Sequence, residues 1–388
     1  MRAHICVVAA EASGDALGAD LIDALRAADP AVRLCGVGGE KMKSRGVASA
    51  IDMSGLAVLG LIDGLKAFDR VKRKVREVAD EIIRADPDAV VLIDSWGLMW
   101  RLARELKLRG ARAQRIKLIG PQVWATRPGR ARVLARWCDH LLCIHAFEQP
   151  FYARWGLPTT VVGNPALGRL TRGDGAAFRR ANGLGQDQPV IGLLPGSRPS
   201  EIRRVAPTLI RAASQLCEVK SDRKVVCVVA PSIRAQVEVL AGQWRFPHLV
   251  VVEESAKLDA FAAINVALAC SGTVTTELAA QGAVVVVGYR LGWVTWAIAR
   301  LFLMRSRFIT LLNVAAGEEV APEFVQTRFT PARVAGAAEG LLSNPKMLAI
   351  QRRRQDAALK EMAGPGRPAA EISAETILRL AAHPSRPA

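Results

Sequence analysis

The stretch LLPGSRPSEIRR, Leu193–Arg204, reads as a buried strand that ends in a small-residue turn and runs straight into a charged helix. A turn alone requires the glycine at 196 but not the arginine at 198. A phosphate site uses both. Amide groups of a turn entering a helix favour an anion, and a guanidinium adds a forked, charge-assisted contact. The pattern matches neither G-x-x-x-x-G-K-[ST] nor G-x-G-x-x-G, so neither common nucleotide loop is present here.

Working outward, the same strand–turn–helix unit recurs on both sides. Upstream, HICVVAA, VRLCGVGG, AVVLID, RIKLIGP, HLLCIH and TTVVGNP are strand candidates separated by helix candidates. Downstream, KVVCVVAP, HLVVVE, INVALACSGT and AVVVVGY continue the series. Continuous Val/Ile/Leu strands alternating with helices make a parallel sheet covered on both faces. The expected class is α/β, with two doubly wound, Rossmann-like parallel-sheet domains facing a cleft, and ligands at the carboxyl ends of the strands. The polar, glycine-rich ALGRLTRGDGAAFRRANGLGQDQP reads as a linker, alone or with a short helix. It separates an N-terminal domain, 1–168, from a C-terminal one, 186–388. The chain reads as helical from about residue 331, with a frayed HPSRPA tail, and these last helices can pack back on the N-terminal domain. A length of 388 residues agrees with two cores rather than one.

Composition narrows the function. Hydrophobic residues make up 51%, enough for large cores and against wholesale disorder. Lys and Arg exceed Asp and Glu by 53 to 36, a net charge of +17, which favours a polyanionic partner: nucleic acid, an anionic membrane or a phosphorylated substrate. Aromatic residues are only 5%, the basic residues are dispersed and no nucleic-acid module appears, which argues against nucleic acid. The seven cysteines include no C-x-x-C pair and read as reduced thiols. Cys138 and Cys143, with His140 and His145, match no zinc spacing, so no metal is expected. No secretory signal is visible, and no apolar run reaches the roughly 20 residues a bilayer span needs. The expectation is a soluble or peripheral protein.

Four further stretches carry candidate chemistry. In AAEASGDALG, Glu11, Ser13 and Gly14 follow the first strand and can line the cleft, while Asp15 can cap the next helix. The alternative there is an ordinary strand–turn–helix. Asp94 ends the strand AVVLID, where a general base has to stand, unless it caps a helix. GPQVWATRPGRAR brings Arg127, Arg130 and Arg132 near Trp124, either to hold a phosphate or lipid headgroup or as a solvated loop over a core tryptophan. In CSGTVTTELAAQG, Ser271, Gly272 and Thr273 form a second small-residue turn, and Glu277 falls one helical turn later. A diphosphate and a ribose use such a pair of features.

Taken in order, these stretches resemble the lipid-A-disaccharide synthase family, inverting glycosyltransferases of the two-domain GT-B type. AAEASGDALGADLIDAL is similar to the family's opening G-E-x-S-G-D segment, and GVGGEKMKSRG and SGLAVLGLIDGL to its next two blocks. DAVVLIDSWGLMWRLARELKLRG is similar to I-D-x-P-x-F-x-x-R-L-A, and LLPGSRPSEIRR to L-L-P-G-S-R-x-x-E-[IV]. ACSGTVTTELAAQGAVVVVGYR resembles S-G-T-x-x-x-E, and LLNVAAGEEVAPEFVQ the L-P-N-L-[LIV]-A-G-x-x-[VI]-x-P-E block.

The resemblance implies the following. UDP-2,3-diacylglucosamine and 2,3-diacylglucosamine 1-phosphate are joined, and UDP is released, without a metal or other cofactor. Gly196, Ser197 and Arg198 meet the diphosphate, Glu277 holds the ribose, Ser271, Gly272 and Thr273 lie against the nucleotide, and Asn313 sits nearby. Asp94 and Arg198 are the catalytic pair, Asp94 as the base. Glu11, Ser13, Gly14, Asp15, Gln122, Trp124, Arg127 and Asn164 form the acceptor side. Acylated glucosamine lipids and the anionic cytoplasmic face of the inner membrane are the implied partners, and a homodimer is left open. LAVLGLIDGLKAFDRVKRKVRE and YRLGWVTWAIARLFLMRSRF, with Trp293, Trp296, Leu301 and Phe302, are the stretches that can rest on such a surface.

The departures from the family pattern concentrate on the acceptor side. LIGPQVWATR stands for Y-V-[SA]-P-S-V-W-A-W-R, so that Gln122 replaces serine and Thr126 tryptophan. Asn164 replaces the histidine of G-H-P, Trp96 a proline, Ala10 a glycine and Leu312 a proline. They leave open a paralogue with another acceptor. A different UDP-sugar enzyme on the same fold, such as a UDP-N-acetylglucosamine 2-epimerase, is the alternative.

Overall fold

The computed structural model describes residues 2–49, 51, 64–168, 170–293, 296 and 306–382, with 64–68 as backbone only. By its contacts the chain divides into Met1–Gly168 with Ala363–Ala388, and Arg169–Met362.

The first unit is a six-stranded, all-parallel sheet: β1 (His4–Val8), β2 (Arg33–Val37), β3 (Ala89–Ile93), β4 (Gln114–Leu118), β5 (His140–Cys143) and β6 (Thr159–Val161), in the order β2-β1-β3-β4-β5-β6. Both faces are buried, and the period-2 alternation of a strand shows it. Ile5, Val7 and Ala9 pack to one side with Leu21, Ile22 and Leu25, and Cys6 and Val8 to the other with Val78, Ile82 and Leu102. The helices of this unit that matter below are α1 (Ala12–Ala28), α2 (Glu40–Lys43), α3 (Gly64–Ala85), α4 (Trp96–Leu108) and α5 (Gly129–Trp137).

The second unit repeats the scheme with β7 (Val190–Leu194), β8 (Lys224–Val228), β9 (His248–Val251), β10 (Val266–Cys270), β11 (Val284–Tyr289) and β12 (Glu323–Val325), all parallel, in the order β12-β11-β10-β7-β8-β9. Every strand named from the sequence is present. The one not foreseen, β12, is three residues long and follows Pro322, too short to carry a periodic signal.

The first unit's limit and the return of the last helix are as expected, and the difference is that the expected linker goes to the second unit. The division falls at Gly168, and the Gly175–Ala181 helix inside the expected linker belongs to the second unit, anchored by buried Phe178. The last helix, Ala369–Ala382, returns to the first unit, where Ala374, Ile377 and Ala381 join the core beside α1. The returning chain crosses Gly163 so closely that a Cβ there would lie 2.2 Å from the Ala363 carbonyl oxygen. The HPSRPA tail and the SGLAVLGLIDGL block lie almost wholly outside the described residues.

In each sheet the chain leaves the first strand in one direction and later resumes on its other side. The switch points are between β1 and β3 and between β7 and β10. Loops diverge there at the carboxyl ends of the strands, which leaves a crevice for a ligand.

Candidate active site

The β7/β10 switch point holds a cavity of about 430 Å³. Gly196, Ser197 and Arg198 from the turn after β7 line it, with Ser271, Gly272, Thr273 and Glu277 from the turn and helix after β10. Seven of the residues singled out from sequence on the nucleotide side therefore meet in one place. Asn313 is the exception. It does not line this cavity and is fully buried, its amide nitrogen donating to Ala321 O and Glu323 Oε1, its oxygen accepting from Val320 and Ala321 N–H. All its hydrogen-bonding capacity is spent inside the protein.

The turn after β7 is built differently from the expected amide cradle. The buried Glu201 carboxylate accepts from the Ser197 N–H at 2.9 Å and the Arg198 N–H at 3.3 Å. Two amides expected to face a phosphate are thus taken. Gly196 has φ +118°, and a Cβ there would come within 2.6 Å of Glu201 Cβ and Oε2, so the position requires glycine. What the turn presents outward is Arg198, its side chain 74% exposed, with one 3.3 Å contact to Glu201 Oε1. The amide cradle shifts to the second turn. The Thr273–Ala280 helix begins in the cavity at Gly272, and its first N–H groups have no partner within the helix. Across the cavity Glu277 pairs with Lys257 at 2.7 Å. Burial works against the Lys257 ammonium, but Glu277 and then Glu254 hold its pKa above the ordinary value. Glu201 and Lys257 were not singled out from sequence. Glu201 was legible, three residues after Arg198 at the spacing of a capping carboxylate.

The β1/β3 switch point gathers the other set. Asp94 directly follows β3 and is exposed. Asp94 and Ser95 are consecutive left-handed residues, φ 44° and 34°, and Ser95, not Asp94, is the N-cap residue of α4. Such positions cost about 1–3 kcal/mol each and persist where surroundings over-determine them. The brace is Lys117. It is 1% exposed, and its ammonium donates to three carbonyls, Leu92 at 3.1 Å, Asp94 at 2.6 Å and Leu118 at 3.1 Å. Burial pulls its pKa down to about 8, while the Asp94 carboxylate opposes the fall. Lys117 was not singled out either, although a lysine inside an apolar strand is a visible anomaly.

Beside Asp94, at the end of β1, Glu11 and Ser13 are exposed and Gly14 is buried, with Glu11 as the N-cap residue of α1. Asp15 does not cap α1, which it lies within. Its buried carboxylate accepts from the N–H groups of Gly39 (2.7 Å), Lys41 (2.9 Å) and Met42 (3.1 Å), capping α2 and tying the end of β2 to α1. It is removed from the acceptor side on that ground. After β4, Gln122 and Arg127 are exposed and Arg127 is left-handed at φ 50°. Trp124 is buried edge-on to Phe147 at 5.5 Å, the core position, with its indole N–H unpartnered. Asn164 caps the short Pro165–Gly168 helix through Ala166 N–H.

Two six-stranded sheets, each with its polar residues at the switch point, agree with what comparison gives. Residues 5–377 match the model of a family described as lipid-A-disaccharide synthetase. The chain belongs to that family. It is 37% identical over 377 residues to the lipid-A-disaccharide synthase of Paramagnetospirillum magneticum, covering 96% of each chain. To that of Rhodospirillum centenum it is 37% identical over 343 residues, 88% of this chain and 85% of the relative. Among solved structures it is similar to MurG of Acinetobacter baumannii, with TM-score 0.59, 16% identity, 97% of this chain and 99% of that one. A putative UDP-N-acetylglucosamine 2-epimerase of Listeria monocytogenes gives TM-score 0.61 at 14% identity, over 98% and 96%. At these identities the likeness speaks for the fold alone, which is GT-B.

Proposed function

We propose that the two switch points divide the work of a sugar transfer, the second unit holding the UDP-sugar and the first the acceptor and the base. The protein is a glycosyltransferase of lipid A disaccharide synthesis. In its reaction the hydroxyl oxygen of 2,3-diacylglucosamine 1-phosphate attacks the anomeric carbon of UDP-2,3-diacylglucosamine from the face opposite UDP. The bond to UDP breaks and its electron pair leaves with the diphosphate. The hydroxyl proton passes to the carboxylate of the exposed Asp94. Arg198 and the first amides of the Thr273–Ala280 helix meet the charge that grows on UDP, so the step needs no metal. Glu277, held by Lys257, takes the ribose hydroxyls.

The observation that carries this reading is the cavity at β7/β10, which brings together an exposed guanidinium, a helix N-terminus and a paired carboxylate. An epimerase shares those features but has no use for an acceptor. Among the described residues no helix is long and apolar enough to cross a membrane. We place the protein in the cytoplasm, peripherally attached to the inner face of the inner membrane, where its lipid substrates are. Trp293, 66% exposed, supports an attachment near that residue; Leu301 and Phe302 lie outside the described residues. The described part of α3 is an amphipathic helix with Val75, Val78 and Ile82 in the core and Arg70, Lys72, Arg73 and Arg76 in solvent.

The test is turnover of both acyl substrates in detergent with EDTA. UDP and a disaccharide 1-phosphate are expected from the native chain and not from Asp94→Ala. UDP binding without product would keep the donor half and refute the acceptor.

A further inference from the structure

A second cavity, of about 640 Å³, lies in the first unit between α4 and α5. Trp96, Trp100 and Arg104 line it from α4, and Arg130, Arg136 and Trp137 from α5. The spacing of four puts Trp96, Trp100 and Arg104 on one face of α4. Among the described residues no Asp or Glu lines the cavity. From Leu106 to Cys138 the sequence holds nine Lys or Arg and no acidic residue. Arg104, Arg130 and Arg136 have no carboxylate at ion-pairing distance among the described residues, and the guanidiniums stack on indoles instead. Arg130 lies 5.0 Å from the Trp96 ring centre, Arg136 4.9 Å from that of Trp137, and Arg104 5.7 Å from the same ring. Stacking occupies the face of a guanidinium and leaves its N–H edge free to donate. Burial lowers the pKa of Arg130, with Arg127 adding to the fall. Like charges gathered around an open concavity are stabilised by an anionic ligand.

The cavity starts at Trp96, two residues beyond Asp94 on the same strand–helix connection. The Trp96 end of the cavity is therefore the end next to Asp94, the group assigned the acceptor's proton above. We propose that this cavity is the subsite for the acceptor's phosphate, the guanidinium edges holding the phosphate and the indoles the apolar body that carries it. The proposal rests on the acceptor being an acylated sugar 1-phosphate, as argued above. It also accounts for Trp96, which stands where the family has proline, since its ring stacks on Arg130 and walls the cavity.

The experiment compares 2,3-diacylglucosamine 1-phosphate with the same lipid lacking phosphate, in native protein and in the triple variant Arg104→Gln, Arg130→Gln, Arg136→Gln. The native chain is expected to favour the phosphorylated acceptor in kcat/KM by at least about 100-fold, the effect of losing charge-assisted bonds of about 3 kcal/mol. The variant is expected to lose most of that preference through KM, with UDP affinity unchanged and a native far-UV circular dichroism spectrum and Tm as the sign that the first unit folds. An undiminished preference in the variant overturns the proposal. So does a variant that keeps its preference and loses only its binding to phosphatidylglycerol vesicles, for the cavity then serves the bilayer. If no acceptor is turned over at all, quenching of tryptophan fluorescence by the phosphorylated lipid still decides. Saturable quenching lost in the variant supports the subsite while the transfer reading fails, and its absence in the native protein refutes the subsite.

Discussion

The two switch points are braced with opposite charge. At β7/β10 a buried carboxylate, Glu201, gathers backbone N–H groups, and the turn presents a guanidinium. At β1/β3 a buried ammonium, Lys117, gathers backbone carbonyls, and the turn presents a carboxylate. Each brace satisfies main-chain groups left over where a strand ends, which in the interior is worth more than a surface contact. The outward group has the sign opposite to the brace. On the proposed reading, one side is thereby fitted to an anion that leaves and the other to a proton that arrives.

The comparison can be broken from either side. The largest effect is expected for Asp94→Asn, which keeps the shape but removes the base. The kcat should fall by about 10³-fold, within the range for a positioned base. Arg198→Ala should lower kcat by about 10²-fold and weaken UDP, since one preorganised charge facing the leaving group is lost. Gly196→Ala forces a Cβ onto Glu201 at a left-handed residue, at a cost of about 1–3 kcal/mol. UDP titration should register it as roughly tenfold weaker binding, with the acceptor KM unmoved. Lys117→Met sharpens the other side. It leaves three carbonyls without their donor, and kcat should drop by roughly tenfold while the donor KM stays, a split that general unfolding would not give.

The smallest effect concerns Glu148, away from both turns. Burial alone raises its pKa from the ordinary 4.5 to about 8. A raised pKa means that the folded state binds its proton more tightly than the unfolded one. Its contribution to stability is complete below about 4.5 and is lost as pH rises through about 8. Glu148→Gln should therefore match the native Tm near pH 5 and exceed it by roughly 2–4 °C above pH 8, the response to about 1 kcal/mol in a unit of this size. A scan of Tm against pH checks it.

The strand pattern carried most of the fold, because both faces of these sheets are buried and Val/Ile/Leu runs such as AVVLI and VVVV leave no other reading. It carried the small-residue turns for the same reason, as they lie where those runs stop. It failed where a polar side chain serves the backbone of a distant segment. Asp15 capping α2, Asn313 knitting 320–323 and Lys117 bracing β3 are long-range matches that no local spacing announces. The return of the last helix to the first unit was allowed but not decided by the sequence, since an amphipathic helix does not say which core it completes.

The most direct test of the divided site is to titrate UDP into Asp94→Asn and Arg198→Ala side by side. The account predicts native affinity for the first, despite its lost turnover, and affinity lower by roughly tenfold or more for the second. Equal weakening in both, or native affinity in Arg198→Ala, would contradict it.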